Sequence, residues 1–151
     1  MKPFTQEVPK IPTYDAQRKQ NGWLLPMYNV HETRIPKRRT PQQVYLTVVN
    51  PRAQKGPHLH KQRWGLMICI RGNVKIVLRQ KGRYREYFSG EKHGFRLVQI
   101  PAGTPAAIYN LGRQQAYVIN MPSPAWSRKN PDDFSASFED YEGGKVQRRK
   151  G

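Results

Sequence analysis

Two histidines separated by one residue, His58 and His60, are the clearest candidates for chemistry in this sequence. In an extended chain, residues i and i+2 point to the same face of the strand, about 6 to 7 Å apart. The two imidazoles would then lie side by side, and near neutral pH one can accept a proton while the other donates one. The same pair would also suit half of a metal site. A third interpretation is two polar side chains on a solvated strand edge.

The segments around this pair have the pattern of β-strands. From residue 44 onward, short runs rich in β-branched and aromatic residues each end at Gly, Pro or Asn. We expect strands over residues 44–49, 64–70, 74–79, 84–88, 95–100, 106–109 and 116–121. The last two are predicted to pair with each other across residues 110–113. Short strands at this spacing, without an amphipathic helix, indicate a sandwich or barrel.

The length of 151 residues suits a single core. Residues 1–40 mix Pro and basic residues around one apolar segment, 22–28, and are predicted to form an extended basic N-terminal arm that contains a short strand. Residues 41–142 are predicted to form the barrel domain, and residues 143–151 a loose basic tail.

Charge is distributed unevenly along the chain. The formal net charge is +17, and residues 33–85 contain fourteen Lys and Arg but no acidic residue. A protein this basic attracts polyanions, which include phosphorylated small molecules, nucleic acid and anionic membrane surfaces. The charge alone does not choose among them.

Several classes of protein are excluded by composition. No run of about 18 apolar residues is present, so we expect no membrane span. The first residues lack the apolar core of a secretion signal, and Cys69 is the one cysteine, so no internal disulfide can form. These features predict a cytoplasmic protein.

Several motifs together resemble those of the cupin superfamily: Gly-x-His-x-His at 56–60, Arg71-Gly72, Pro101-x-Gly103, and Asn110. The segments KGPHLHKQRWGLMICIRGNVKIVL and VQIPAGTPAAIYNLGRQQAYVINMPSPAW are similar to the nucleotide-sugar branch of that superfamily. This branch includes the dTDP-4-dehydrorhamnose 3,5-epimerase-like proteins and the dTDP-sugar 3,4-ketoisomerases. The resemblance implies an all-β cupin jelly-roll barrel of the RmlC-like type, a homodimer, and a nucleotide-sugar ligand bound in the barrel mouth.

The resemblance also implies roles for individual residues. His58 and His60 match the paired histidines that move protons beside the keto group in the ketoisomerases, which use no metal and no other cofactor. Tyr109 or Tyr45 is the candidate proton donor. Candidate substrate-binding residues are Arg63, Arg71, Lys75, Arg79, Tyr45 and Asn110, since arginine binds pyrophosphate bidentately and an aromatic ring can stack on the thymine.

Which of these cations face the barrel mouth depends on strand alternation. Lys75 and Arg79 lie on the face opposite Val74, Ile76 and Leu78. If the barrel interior takes the apolar set, the two cations are expected only to add solubility.

The sequence departs from the related motifs at three points. Metal-binding cupins have an acid where this chain has Trp64 and Gly65, and a third histidine that is missing from residues 104–110. A metal site is therefore disfavoured. The catalytic lysine of the epimerases would fall at Gly65, which argues against straightforward 3,5-epimerase chemistry. Asp132 and Asp133, in a segment expected to cross the outside of the barrel, are predicted to neutralise part of the basic body.

The favoured function is a metal-independent isomerase or epimerase of a dTDP-linked 4-keto sugar, serving surface-polysaccharide biosynthesis. One alternative is a non-catalytic cupin module that binds a polyanionic partner such as nucleic acid, which is the less favoured partner. The other is a metal-dependent cupin enzyme. Catalysis itself stays open, because one fold hosts many functions.

Overall fold

Twelve β-strands form the regular structure of residues 4–141, the part of the chain that the computed structural model describes. One turn of 3-10 helix covers Lys37–Arg39. The strands are β1 (Thr5–Glu7), β2 (Ile11–Tyr14), β3 (Gln20–Leu24), β4 (Tyr45–Val49), β5 (Gln54–Leu59), β6 (Gly65–Arg71), β7 (Asn73–Gln80), β8 (Arg83–Gly90), β9 (Arg96–Ile100), β10 (Ala106–Asn110), β11 (Ala116–Asn120) and β12 (Phe134–Ser135).

The strands form two five-stranded antiparallel sheets. The first sheet has the order β1-β9-β6-β11-β4, and the second has the order β12-β5-β10-β7-β8. Strands β2 and β3 form a separate two-stranded sheet. The all-β prediction is therefore confirmed. Within residues 4–141 no helix is long and apolar enough to cross a bilayer.

Apolar side chains between the two sheets form the main core. Val49, Cys69 and Val118 come from the first sheet, and Ile76 and Leu78 come from the second. All five side chains are fully buried. The alternation predicted for β7 is confirmed, because its apolar set enters the core.

The opposite face of β7 is not solvated. Lys75 is only 5% exposed, and its Nζ lies 3.0 Å from Glu86 Oε2. The rings of Tyr109 and Tyr141 cover it, with centroids 5.2 and 5.3 Å from that Nζ. The expectation that Lys75 only adds solubility is wrong, since the C-terminal segment packs over this face.

The predicted hairpin between the last two long strands is also wrong. Strand β10 pairs with β5 and β7, whereas β11 pairs with β4 and β6 in the other sheet. The loop between them crosses from one sheet to the other. The buried side chain of Asn110 fixes this crossing, because its Nδ2 donates to the carbonyls of Val49, Asn50 and Gln114.

The N-terminal residues are more structured than an extended arm. Strand β1 pairs with β9 at the edge of the first sheet, and β2 pairs with β3. Leu25, Met27 and Tyr28, from the predicted apolar segment, pack on a second core cluster with Leu66 and Leu97. The extended arm is thus not confirmed. The tail predicted for residues 143–151 lies outside the described residues.

Candidate active site

A cavity of about 470 Å³ opens between the two sheets at one end of the barrel. Apolar side chains, including Met67, Ile100 and Ile108, form part of its wall. Its polar groups come from both sheets and from the C-terminal segment. They belong to Tyr45, Thr47, Lys55, His58, His60, Arg63, Asn120 and Asp133.

A β-bulge in β5 brings Lys55 and His58 to the same cavity. Ile108 pairs with Lys55 and Ala106 pairs with His58, so three steps along β5 oppose two steps along β10. The extra residue reverses the alternation, and both side chains therefore line the cavity although they are three residues apart. Gly56 occupies the bulge with a φ of +84°, and a Cβ there would lie 2.7 Å from the carbonyl oxygen of Ala106.

The ring of His60 is oriented by contacts with the C-terminal segment. Its Nδ1 lies 2.6 Å from the carbonyl oxygen of Asp132. A carbonyl accepts only, so a hydrogen bond here requires the tautomer with the hydrogen on Nδ1, in which Nε2 has the free lone pair. The carboxylate of Asp133 lies 3.2 Å from the same Nδ1. Together these two contacts fix the orientation of the ring.

The carboxylate of Asp132 holds the loop that follows His60. It accepts hydrogen bonds from the backbone N–H groups of Lys61, Gln62 and Arg63 at 2.8 to 2.9 Å. Burial by itself raises the pKa of this carboxyl, but the three donors outweigh it and hold the pKa below its usual value. The carboxylate of Asp132 therefore fixes the loop that follows His60, and its backbone carbonyl contacts the His60 ring.

Arg63 is buried beside the histidine and already has an acidic partner. It is 7% exposed, and its guanidinium donates to Asp133 Oδ1 at 2.7 Å and to the carbonyl of Pro131 at 3.2 Å. A guanidinium has five N–H donors, so this pairing leaves several for a ligand. The same guanidinium comes within 3.0 Å of His60 Nδ1, and because both groups are donors when Nδ1 carries the hydrogen, this approach is then not a hydrogen bond. Asp133 neutralises the positive charge that Arg63 places there.

The hydroxyl of Tyr45 is positioned as a hydrogen donor. Asn120 is buried, its Oδ1 accepts from the Leu66 N–H at 3.0 Å, and its Nδ2 donates to the Tyr45 hydroxyl at 2.7 Å. The amide orientation is thereby fixed, and the phenol oxygen serves as its acceptor. The phenol proton therefore stays available to a group in the cavity.

The structure separates the predicted site residues into two groups. His58, His60, Arg63 and Tyr45 line the cavity. The predicted donor Tyr109 does not, because it lies on the outer face of the second sheet in a cluster with Val77 and Tyr141.

The remaining predicted substrate-binding residues also lie away from the cavity. Lys75 is buried under Tyr141, and Arg79 lies over the ring of Tyr84 at 5.9 Å. Arg71 lies over Tyr117 at 5.3 Å, and Asn110 holds the crossing between the sheets. These four side chains have partners outside the cavity, and the structure does not bring them to His58 and His60.

Five polar residues of the site were not proposed as site residues from the sequence: Thr47, Lys55, Asn120, Asp132 and Asp133. Lys55 had a signal, since it lies in the same basic run as the histidines, and its Nζ donates to Thr47 Oγ1 at 2.8 Å. The two aspartates had a weaker signal, as paired acids in a basic chain. Their contact with His60 spans about seventy residues, which no local pattern reveals.

Among residues 4–141, no group of three His, Cys, Asp or Glu side chains is placed to hold a metal ion. The cavity brings together two imidazoles, a phenol, a lysine and an arginine paired with a carboxylate.

A family model matches residues 11–143 of the sequence, with the description "FdtA: WxcM-like, C-terminal". The chain belongs to this family. A search of curated proteins found no match.

Solved structures share the fold of this FdtA family member. A dTDP sugar isomerase from Desulfovibrio desulfuricans G20 has a TM-score of 0.76 at 21% identity, over 91% of this chain and 85% of that one. The 3'-monoepimerase ChmJ from Streptomyces bikiniensis, in complex with dTDP-quinovose, has a TM-score of 0.72 at 18% identity, over 94% and 73% of the two chains. A dTDP-4-dehydrorhamnose 3,5-epimerase from Sulfolobus tokodaii has a TM-score of 0.70 at 17% identity, over 90% and 77%.

These similarities confirm two expectations from the sequence. The fold is the RmlC-like cupin jelly roll, and the resemblance to dTDP-sugar isomerases and epimerases is confirmed at the level of the fold.

Proposed function

We propose that this FdtA family member is an isomerase or epimerase of a dTDP-linked 4-keto sugar. The observation that carries the proposal is the contact of 2.6 Å between His60 Nδ1 and the Asp132 carbonyl, in a cavity that also holds His58. This contact leaves His60 Nε2 as a base, as the reaction requires. The shared fold of dTDP-sugar isomerases and epimerases supports the choice of substrate class.

The reaction begins with loss of a proton from the carbon next to the ketone. His60 Nε2 takes the proton from C3, the C–H electron pair forms a C3=C4 double bond, and the negative charge moves to the C4 oxygen. Return of a proton to C3 on the opposite face gives an epimer. Return of a proton to C4, with transfer of the C3 hydroxyl proton to the C4 oxygen, gives the 3-keto isomer. Both outcomes use the same first step.

The imidazolium formed at His60 has a counterion in place. The Asp133 carboxylate lies 3.2 Å from Nδ1 and 2.7 Å from the Arg63 guanidinium, so the two cations share its one negative charge. Asp132 contributes through its backbone carbonyl, which keeps the ring from turning. His58 is exposed at the cavity wall, where it can exchange the second proton with the sugar or with solvent.

The hydroxyl of Tyr45 is suited to stabilise the enolate oxygen. Because the Asn120 amide donates to its hydroxyl, the phenol proton is directed away from the protein. A donor aimed at the developing oxyanion is the kind of group that accelerates enolisation most strongly. Tyr45 thus takes the donor role for which the sequence offered Tyr45 or Tyr109.

Lys55 and Arg63 are the cations we assign to the diphosphate. Lys55 is exposed at the cavity and is held by Thr47, while Arg63 is buried and paired with Asp133. The first offers a full positive charge and the second its remaining N–H donors. We further propose a homodimer that acts in the cytoplasm, without metal, in surface-polysaccharide biosynthesis. Neither the non-catalytic module nor the metal-dependent enzyme has support from the comparisons.

Proton exchange tests this proposal directly. The protein is incubated with dTDP-4-keto-6-deoxyglucose in deuterated water, and deuterium in the sugar ring is measured by NMR or mass spectrometry. We expect incorporation at C3 with the wild type, and a loss of about 100-fold or more with His58→Asn/His60→Asn. The binding of dTDP by the double variant, measured by calorimetry, controls for folding. Binding without any exchange by the wild type would refute the enzymatic function.

A further inference from the structure

A second pocket lies at the opposite end of the barrel from the cavity. Strand β10 spans the distance: Ala106 pairs with Leu78 and lines the cavity, whereas Asn110 pairs with Val74 and lines the second pocket. Its volume is about 500 Å³, similar to that of the cavity. The residues that line it are Arg52, Gly72, Asn73, Lys92, Asn110, Leu111, Gly112, Arg113 and Gln114.

The charged side chains that line this pocket are all basic. Arg52, Lys92 and Arg113 are exposed, and no acidic residue is among the lining residues. None of the ion pairs formed within residues 4–141 includes any of the three. The nearest acid in sequence, Glu91, lies beside the pocket, since its Oε1 accepts the N–H of the lining residue Gly72 at 2.7 Å. Three cations around one concavity repel each other, and an anion between them turns that repulsion into attraction.

The loops that bear these cations are tied together by buried polar contacts. Asn110 is 1% exposed, and its Nδ2 donates to the carbonyls of Val49, Asn50 and Gln114 at 2.8 to 3.2 Å. Its Oδ1 accepts the Gly112 N–H at 2.9 Å. The loop with Arg52 and the loop with Arg113 are therefore fixed to one side chain.

The backbone at Lys92 is held by hydrogen bonds to two other residues that line the pocket, Gly72 and Asn73. The Lys92 N–H donates to Asn73 Oδ1 at 2.7 Å, and the Glu91 N–H donates to the Gly72 carbonyl at 3.0 Å. The backbone of the pocket is thus held in place, and three exposed cationic side chains extend from it. A fixed backbone lowers that part of the entropic cost of binding an anion that comes from ordering the loops.

We propose that this second pocket binds a diphosphate group, free or as part of a nucleoside diphosphate. Arginine forms paired hydrogen bonds with phosphate oxygens, and two arginines with one lysine match the charge of a diphosphate. A volume of about 500 Å³ is in the range of small-ligand sites. The proposal does not depend on the proposed function, because none of the residues that line this pocket lines the cavity.

Two triple variants with the same change in net charge distinguish a specific diphosphate site from the general electrostatic attraction of a basic protein. Arg52→Gln/Lys92→Gln/Arg113→Gln removes the three pocket cations. Lys81→Gln/Arg83→Gln/Arg85→Gln removes three exposed cations from the β7–β8 hairpin instead. All six positions are exposed, so both variants are expected to fold.

The probes are inorganic pyrophosphate and ADP, titrated while backbone amide NMR shifts are recorded. We expect shifts at residues 91–92 and 111–114, and about tenfold or greater weakening in the pocket variant against less than twofold in the hairpin variant. Equal affinity for the two probes indicates recognition of the diphosphate alone, whereas tighter ADP binding places the nucleoside in the pocket too. Equal weakening in both variants, or no shifts in these loops, would overturn the proposal. Shifts confined to residues 55–63 would overturn it too, without harming the proposed function.

Discussion

The Nδ1 atom of His60 lies 2.6 Å from the carbonyl oxygen of Asp132, 72 residues later in the sequence. The contact is reciprocal between the two loops, because the Asp132 carboxylate accepts the N–H groups of the three residues that follow His60. One residue thereby sets the ring orientation through its backbone and the loop conformation through its side chain. The C-terminal segment is therefore part of the candidate active site.

The first prediction concerns Asp132→Asn. The folded protein holds the pKa of Asp132 below its ordinary value of 3.8, so the carboxylate contributes stability above that value and loses it as the pH falls further. Asparagine tolerates the positive φ of 55° at this position but has a single acceptor oxygen. We expect a loss of about 1 to 2 kcal/mol at pH 7. Urea unfolding at several pH values should show this difference shrinking below about pH 4. A difference independent of pH would contradict the role of the charge.

The second prediction concerns Tyr45→Phe. This change removes the phenol proton and leaves Asn120 Nδ2 without its acceptor, while the ring is preserved. We expect kcat to fall by about 10- to 1000-fold, since the enolate oxygen loses a donor, while the Kd for dTDP stays within about twofold. Tyr109→Phe is the matched control, because Tyr109 lies outside the cavity. An equal loss of kcat in both variants would show that Tyr45 has no special role.

Local patterns predicted the strands better than their partners. The alternation of Val74, Ile76 and Leu78 indicated the buried face correctly, because one strand's pattern contains that information. The predicted pairing of β10 with β11 was wrong. The chain crosses to the other sheet after β10, and Asn110 holds this crossing through contacts with three separate carbonyls. Short-range pairing is the common arrangement in β proteins, and here a buried amide favours the crossing instead.

The sequence singled out candidate residues that lie close to each other along the chain. His58 and His60 both line the cavity, as the i, i+2 spacing indicates. Lys55 was not singled out because Gly56 and the following proline interrupt the strand pattern, and only the bulge returns Lys55 to the cavity. The aspartates at 132 and 133 reach His60 through tertiary structure alone.

The third prediction separates cations at the cavity from cations elsewhere. Lys55 is exposed at the cavity, whereas Lys75 is buried against Glu86 on the outer face of the second sheet. For a dTDP-linked 4-keto sugar, Lys55→Met should raise KM by about tenfold, because the diphosphate loses one positively charged partner. Lys75→Met should leave KM unchanged within about twofold. Steady-state kinetics of the two variants, with thermal unfolding to confirm folding, makes the comparison. A larger KM effect from Lys75 would reverse the assignment.

The fourth prediction tests the bulge through Gly56→Ala. The φ of +84° disfavours any side chain, and the new Cβ would meet the Ala106 carbonyl oxygen at 2.7 Å. The matched control is Gly82→Ala in the β7–β8 turn, where φ is +74° but no atom lies within 4 Å of the new Cβ. We expect about 1 kcal/mol of destabilisation for the control, from the backbone alone.

The cost at Gly56 should be about 3 kcal/mol or more, because the backbone carbonyl of a central strand cannot move aside as a flexible side chain does. Relief of the contact shifts β5 against β10 and displaces His58, so deuterium exchange should fall in Gly56→Ala and persist in Gly82→Ala. Denaturant unfolding gives the stabilities, and exchange per folded molecule gives the activity. Equal destabilisation of the two variants would mean that only backbone strain matters and that β10 does not restrict the bulge.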